Sequence, residues 1–187
     1  MIVKELKIKG AFEIKLAPNI DSRGFFMRTY DEKIFKKYIL NRNWVQESHS
    51  LSKKKGTVRG IHFQHPPYTE TKLIRVIQGK VLFAVIDLRS DSETFGKWTQ
   101  IMVSAQKKNM IYIPKGCAPC MCTLVSNCQI LYKMDQFFTP ESYDNIKWDD
   151  PDLAIKWLIK TPTDISLRDA NAQSFKEFVK KYGGLNI

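Results

Sequence analysis

The three histidines of the chain lie within seventeen residues of one another, at His49, His62 and His65. Imidazole is the side chain best suited to proton transfer near neutral pH. In a β-strand, His62 would share a side with Gly60 and Gln64, whereas its immediate neighbours would point the other way. A side that carries small and polar groups suits a water-filled cavity. A histidine hydrogen-bonded in the core fits the same pattern equally well, so the pattern leaves both interpretations open.

A metal site is a second possibility, because His62, His65 and Glu70 resemble the first ligand cluster of double-stranded β-helix (cupin) proteins. Those proteins supply a further histidine from a later strand, and here the corresponding position is Pro119, which has no ligand atom. The spacing of His62 and His65 also fails to place both on one face of a strand. We therefore expect no metal.

Four cysteines lie within twelve residues, at Cys117, Cys120, Cys122 and Cys128. The first two have the spacing of half a zinc knuckle, but no second pair lies at a suitable distance. In a strand, Cys120 and Cys122 would share an apolar face with Leu124. The cysteines are therefore predicted to be reduced, buried thiols that pack as small hydrophobic groups.

Composition indicates an ordinary globular protein. The chain has 187 residues, and its 30 Lys and Arg against 19 Asp and Glu give a formal charge of +11. The lysines are spread along the chain, which argues against a nucleic-acid surface and suits a smaller polyanion such as a nucleoside diphosphate. No low-complexity tract, internal repeat or Pro/Gly/Ser linker divides the sequence, so we expect one domain over residues 1–187. No long apolar run or leader is apparent, so we expect no membrane segment and a cytoplasmic location.

Short β-like runs separated by turn signals dominate the middle of the sequence. They are Thr57–Gln64, Lys72–Gln78, Lys80–Leu88, Thr99–Val103, Asn109–Ile113, Met121–Val125 and Gln129–Phe137. Helical patterns occur only near the ends, at Asp31–Ile39 and at Ser174–Tyr182, where Ser174 is the expected N-cap. These patterns predict a mostly β sandwich or barrel with short peripheral helices.

Ordered motifs from Asp21 to Asp169 resemble the dTDP-4-dehydrorhamnose 3,5-epimerase family. They include Asp21-Ser22-Arg23-Gly24-Phe25-Phe26, Arg59-Gly60-Ile61-His62-Phe63-Gln64, Lys72-Leu73-Ile74-Arg75-Val76, Thr94-Phe95-Gly96-Lys97-Trp98, Ile113-Pro114-Lys115-Gly116, Leu131-Tyr132-Lys133, Trp148-Asp149-Asp150-Pro151 and Ser166-Leu167-Arg168-Asp169. The resemblance implies a cupin-type double-stranded β-helix (jelly-roll barrel), with a barrel core at about 45–140 and a C-terminal helical segment at about 170–187. It also implies a homodimer without cofactor or metal.

The same resemblance implies inversion of carbons flanking the ketone of a nucleoside-diphosphate 4-keto sugar, in surface-polysaccharide sugar biosynthesis. By motif position, His62 corresponds to the general base and Asp169 to the carboxylate behind it. Lys72 corresponds to the group facing the keto oxygen, and Tyr132 to the proton donor. The expected substrate-binding positions are Arg23, Phe26, Arg28, Gln46, Ser48, Arg59, Pro119, Phe138 and Arg168.

Several of these binding positions depart from the family pattern. Arg28 replaces a common Glu, Ser48 an Asn, Pro119 a His, Phe138 a Tyr and Arg168 a Lys. A conserved reaction with an altered binding shell favours a different sugar nucleotide, such as a GDP-linked 4-keto-heptose rather than a dTDP-linked 6-deoxyhexose. The alternatives are inversion of one carbon only, a non-catalytic sugar-nucleotide-binding cupin, and a metal-dependent cupin enzyme.

Overall fold

The computed structural model describes all 187 residues, and strands account for most of its regular structure. In chain order the strands are β1 (Ile2–Glu5), β2 (Phe12–Lys15), β3 (Asn19–Asp21), β4 (Gly24–Phe26), β5 (Gln46–Ser52), β6 (Val58–Arg59), β7 (His62–Gln64), β8 (Lys72–Gln78), β9 (Lys80–Asp87), β10 (Trp98–Ser104), β11 (Asn109–Ile113), β12 (Cys117–Thr123), β13 (Cys128–Met134) and β14 (Tyr143–Asn145). The α-helices are α1 (Glu32–Lys37), α2 (Leu167–Ala170) and α3 (Phe175–Tyr182), and a short 3₁₀ helix spans Pro140–Ser142.

Two antiparallel sheets form the barrel. One has the strand order β1-β2-β11-β8-β13-β5, and the other has the order β10-β9-β12-β6. Alternate residues of both sheets point inward and form a core cluster that includes Ile74, Phe83, Val85, Ile111 and Met121. The small pairs β7–β14 and β3–β4 lie outside these sheets. The architecture confirms the predicted mostly β, cupin-type double-stranded β-helix.

The boundaries of the barrel differ from the sequence prediction in three places. β1 and β2 extend the six-stranded sheet at one edge, so the barrel begins before residue 45. β5 forms the opposite edge, although its sequence Gln-Glu-Ser-His-Ser-Leu-Ser carries no apolar alternation. The predicted strand Met121–Val125 begins four residues earlier, at Cys117. Pairing with β9 stabilises β12 along its whole length, including Pro119 opposite Val85.

The predicted strand Thr57–Gln64 is interrupted at Gly60. A side chain at this position would bring its Cβ to 2.6 Å from the Cα of Cys120 and 2.7 Å from the carbonyl oxygen of Pro119, and φ is +124°. Only glycine accommodates that approach and that backbone angle. β6 pairs with β12 before the break, whereas β7 pairs with β14 after it. The chain thus changes its strand partner at Gly60, two residues before His62.

The helices pack on the outside of the barrel, and side chains cap their first turns. The Asp31 side chain accepts hydrogen bonds from backbone amides at the start of α1. Ser174 and Glu177 form a reciprocal capping box at α3, which confirms the predicted N-cap. Phe178 of α3 is fully buried and packs edge-on against Phe63 of β7. None of the helices has the length and hydropathy needed to cross a bilayer.

The turn after β9 is organised around the buried carboxylate of Asp87. This carboxylate accepts hydrogen bonds from the side chains of Arg89, Ser92 and Thr94 at 2.6–2.9 Å. Burial opposes the charge, but these donors outweigh it and lower the pKa of Asp87 from 3.8 to about 2. A lowered pKa stabilises the folded state above pH 4, and that stabilisation is lost as the pH falls towards 2.

We predict that Asp87→Asn removes this acid-dependent contribution. The difference in pKa corresponds to about 2 kcal/mol, so between pH 4 and 2 the free energy of unfolding should fall by that much less in the variant. Urea unfolding at several pH values measures it. The exposed Asp91→Asn serves as the control and should keep the acid dependence of the unsubstituted protein. If the free energy of unfolding of Asp87→Asn fell between pH 4 and 2 as much as that of the unsubstituted protein, the prediction would be wrong.

Candidate active site

A cavity of about 390 Å³ opens into the barrel, and both large sheets and the β7–β14 pair contribute to its wall. Its size is typical of a small-molecule site. Its lining consists of Gln46, Ser48, Ser50, Arg59, His62, Glu70, Lys72, Phe83, Pro119, Met121, Tyr132, Met134, Phe138 and Tyr143. The cavity therefore brings together three of the four predicted catalytic side chains, and the fourth, Asp169, lies directly behind His62.

His62 and Asp169 form a close pair. Nε2 of His62 lies 2.7 Å from Oδ1 of Asp169, and the carboxylate also accepts hydrogen bonds from the backbone of Gly60 and the side chain of Asn145. Burial alone would raise the pKa of Asp169, but these hydrogen bonds, that of His62 foremost, lower it below its usual value. A carboxylate at Nε2 favours the tautomer that carries the proton there, so Nδ1 keeps its lone pair.

Tyr132 belongs to β13, in the six-stranded sheet, and so approaches the cavity from a different sheet than His62. Its hydroxyl lies 3.2 Å from Oγ of Ser50 and 3.8 Å from the sulfur of Met121. Burial raises the pKa of Tyr132, and this outweighs the opposing influence of Ser50 and Arg59. The phenol is therefore protonated at neutral pH and can donate a proton or a hydrogen bond.

Lys72 begins β8, where backbone pairing with Ile113 on one side and Met134 on the other fixes its position. Its ammonium group lies 3.0 Å from Oε1 of Glu70, and the two side chains are only 13% and 10% exposed. The strand pattern predicts a charge on an otherwise apolar face at this position. The structure compensates that charge with a carboxylate two residues earlier.

Tyr143 is a cavity residue that the sequence analysis did not identify. Its ring centroid lies 5.4 Å from that of His62 and 5.4 Å from that of Phe138, and the guanidinium carbon of Arg168 lies 3.9 Å from it. Burial chiefly raises the pKa of Tyr143, the negative charges of Asp169 and Glu70 add to the shift, and Arg168 opposes it. Tyr143 stands in a three-residue strand with no recognisable periodicity, so no sequence pattern indicates its orientation.

The predicted substrate-binding residues fall into three groups. Gln46, Ser48, Arg59, Pro119 and Phe138 line the cavity, and Gln46 also accepts a hydrogen bond from the backbone of Phe138 at 2.6 Å. Arg168 lines an adjoining cavity of about 280 Å³, which shares Arg59, His62 and Tyr143 with the first. The third group does not line either cavity and consists of Arg23, Phe26 and Arg28.

The third group is exposed on and just after the β3–β4 hairpin. Arg23 pairs with Asp21 at 2.7 Å, and Arg28 lies 3.7 Å from Asp31. Phe26 is 69% exposed. These three residues are thus not assembled with the others within a single copy of the chain.

The side chains considered as metal ligands are dispersed. His65 turns to Asp144 at 2.9 Å, whereas Glu70 pairs with Lys72. No group of three or more His, Cys, Asp and Glu residues is arranged to hold a metal ion. All four cysteines are free and buried, and burial raises the pKa of Cys117 to about 12 and that of Cys122 to about 11. These thiols pack in the core, as predicted for Cys120 and Cys122.

A double-stranded β-helix that holds an imidazole–carboxylate pair, a phenol and an ammonium group at one cavity has the groups required for acid–base chemistry on a bound small molecule. Comparison with known proteins defines the class further. The sequence profile of the dTDP-4-dehydrorhamnose 3,5-epimerase family matches residues 5–177. The chain belongs to this family and is an isomerase, which confirms the resemblance and the enzyme class predicted from its motifs.

Individual relatives agree with this assignment. The dTDP-4-dehydrorhamnose 3,5-epimerase of Shigella flexneri is 36% identical over 156 residues, which are 83% of this chain and 85% of the relative. The structure of the dTDP-6-deoxy-D-glucose-3,5-epimerase of Legionella pneumophila in complex with dTDP-4-keto-L-rhamnose is 30% identical, with a TM-score of 0.91 over 100% of this chain and 98% of the other.

A 3'-monoepimerase from Streptomyces bikiniensis, in complex with dTDP-quinovose, is also similar. It is 25% identical, with a TM-score of 0.88 over 97% of this chain and 91% of the other. The same barrel therefore occurs in enzymes described as double and as single epimerases. The number of carbons inverted must depend on individual side chains rather than on the fold.

Proposed function

We propose that this epimerase inverts one or both carbons flanking the ketone of a nucleoside-diphosphate 4-keto sugar, with His62 as the base and Tyr132 as the acid. The observation that carries the proposal is that these two side chains reach one cavity from separate sheets. Inversion without oxidation requires removal of a proton from one face of a carbon and return of a proton to the other face. Two independently held groups satisfy that requirement.

In the proposed reaction, Nδ1 of His62 takes the proton from C3 or C5 of the sugar. The electron pair of the broken C–H bond moves into the bond towards C4, and the keto oxygen becomes an enolate oxygen. Lys72 stabilises that negative charge, and this interaction is strongest where water is excluded from the cavity. Tyr132 then donates its proton to the opposite face of the carbon, the ketone re-forms, and Asp169 stabilises the imidazolium meanwhile.

The binding residues are proposed to divide between the sugar and the nucleotide. Gln46, Ser48 and Pro119 lie within the cavity, and Phe138 is half exposed at its mouth, where a flat ring can contact a base. Arg59 and Arg168 carry permanent charges beside the two connected cavities. Guanidinium groups bind phosphate oxygens through paired donors, so these two are proposed to bind the diphosphate.

The preferred substrate in this proposal is a GDP-linked 4-keto-heptose. Pro119 and Met121 are the members of the altered β12 segment that line the cavity, whereas Cys117 and Cys120 pack in the cores. A proline and a flexible methionine leave a wall that can adapt to a larger ring substituent. A dTDP-linked 6-deoxyhexose is the alternative, and inversion of one carbon only is the second alternative.

A homodimer in the cytoplasm is also part of the proposal. Arg23, Phe26 and Arg28 are expected to bind substrate but lie outside the cavities of their own chain. Ile20 and Phe25 of the same hairpin are exposed apolar residues. A second copy that covered this hairpin would bury them, and would allow the three binding residues to serve the partner's cavity.

Incubation in heavy water tests the proposal. A dTDP-linked 4-keto-6-deoxyhexose and a GDP-linked 4-keto-heptose are followed by NMR for loss of the C3 and C5 proton signals. Exchange at two carbons indicates a 3,5-epimerase, and exchange at one carbon indicates a single-site enzyme. Faster exchange with the GDP-heptose supports the proposed substrate, and faster exchange with the dTDP sugar contradicts it. Absence of exchange in both would instead favour a non-catalytic binding protein.

A further inference from the structure

We propose that Glu70 is a positioning residue that holds the ammonium group of Lys72 where the enolate oxygen forms, an inference that rests on the proposed epimerase function. Glu70 is the only acidic residue that lines the larger cavity. Its Oε1 lies 3.0 Å from Nζ of Lys72. Glu70 was considered as a metal ligand in the sequence analysis, where no metal was expected, and in the structure its carboxylate is paired with the lysine.

The need for a positioning group follows from the shape of Lys72. Its backbone is fixed between two neighbouring strands, but a flexible four-carbon stem separates that backbone from the charge. A charge contributes most to a reaction when it already lies where negative charge develops. Glu70 removes the freedom of the ammonium group by binding one of its three N–H donors, and the other two remain for the substrate.

Glu70 itself stands on a fixed segment. The backbone N–H of Thr71 donates to Oδ1 of Asp135 at 2.6 Å, and the N–H of Asp135 donates to the carbonyl of Thr71. Arg42 lies 3.7 Å from the other oxygen of Asp135. The residue between Glu70 and Lys72 is thereby tied to the end of β13. Both members of the pair thus extend from an anchored backbone, which keeps the two side chains within reach of each other.

The surroundings explain why this pair differs from a surface ion pair. The two side chains are nearly buried, and Arg59 and His62 are the other groups on the cavity wall that can carry positive charge. Surface pairs contribute little because water competes for both partners. The Glu47–Lys133 pair in the adjacent strands, at 3.2 Å, is such a case, since its side chains are 50% and 41% exposed.

The kinetics of Glu70→Ala and Glu70→Gln test the inference. The assay is deuterium exchange from heavy water into the two 4-keto sugar nucleotides named above. For Glu70→Ala we expect kcat to fall about 10- to 100-fold with KM within threefold, because a misplaced charge affects the transition state more than binding. Glu70→Gln keeps an acceptor for Lys72 and should recover most of that loss. The control Glu47→Ala should leave both constants unchanged.

A double-mutant cycle separates positioning from a purely structural role. In a Lys72→Ala background, Glu70→Ala should cause no further loss, because the group that it positions is gone. The inference is overturned if Glu70→Ala keeps kcat within twofold of the unsubstituted protein, or lowers the rate equally in both backgrounds. If the unsubstituted protein exchanges neither sugar, the proposed function itself fails. Exchange that is lost in Lys72→Ala and retained in Glu70→Ala overturns only the inference.

Discussion

Replacement of His62 by Asn is expected to lower the rate of epimerisation by about 10³- to 10⁴-fold, because no other imidazole faces the cavity and an amide cannot accept a proton from carbon. Deuterium incorporation from heavy water should fall in parallel, since abstraction of the proton is the step removed. The change keeps a polar side chain of similar size. Folding should therefore be retained, and thermal unfolding provides the check.

His65→Asn is the matched control for this prediction. His65 also pairs with a carboxylate, Asp144 at 2.9 Å, but it packs against Tyr182 rather than facing the cavity. Its replacement should affect stability and leave kcat close to that of the unsubstituted protein. Retention of full turnover by His62→Asn would show that the proton is removed by another group, and the proposed mechanism would have to be abandoned.

Tyr132→Phe is predicted to separate the two halves of the reaction. Without the phenolic proton, the enolate can be reprotonated only from the side of His62, and the original configuration returns. We expect product formation to fall by about 10²- to 10⁴-fold, whereas deuterium still enters the unreacted sugar because the imidazolium exchanges its proton with the solvent. Combined measurement of product by chromatography and of deuterium by mass spectrometry makes the distinction.

Tyr112→Phe removes a comparable hydroxyl from the core and is the control. Tyr112 is 1% exposed and belongs to the cluster formed with Ile14 and Phe35 on the outer side of the six-stranded sheet. Its replacement should leave both product formation and exchange intact. If Tyr132→Phe lost exchange and product to the same extent, the phenol would be acting before or during proton removal, contrary to the assigned role.

The sequence allowed much of the fold to be predicted, since strands such as β8, β9 and β11 carry buried β-branched residues between clear turns. β5 shows no apolar alternation because its outward side is exposed and its inward residues Gln46, Ser48 and Ser50 line the cavity. The break at Gly60 depends on the proximity of Cys120, a residue sixty positions away, and a local pattern cannot indicate such a contact.

The candidate site was predicted unevenly for similar reasons. The motifs identified His62, Lys72, Tyr132 and Asp169, and all four meet at or behind one cavity. Tyr143 was missed because its position depends on how a short strand pairs with β7. The partnership of Glu70 with Lys72 was also missed, because Glu70 was considered only as a metal ligand and that role was set aside without assigning it another.

The placement of His62 and Tyr132 on separate sheets has a consequence for how such enzymes diversify. β13 holds Tyr132 in the six-stranded sheet and β7 holds His62 in its pair with β14, whereas residues at the mouth, such as Phe138, belong to connecting segments. Replacement of residues at the mouth can therefore change which sugar enters without moving the strands that carry the proposed base and acid. A barrel of this kind can therefore acquire new sugar substrates through a few changes at its mouth while the residues of its interior stay the same.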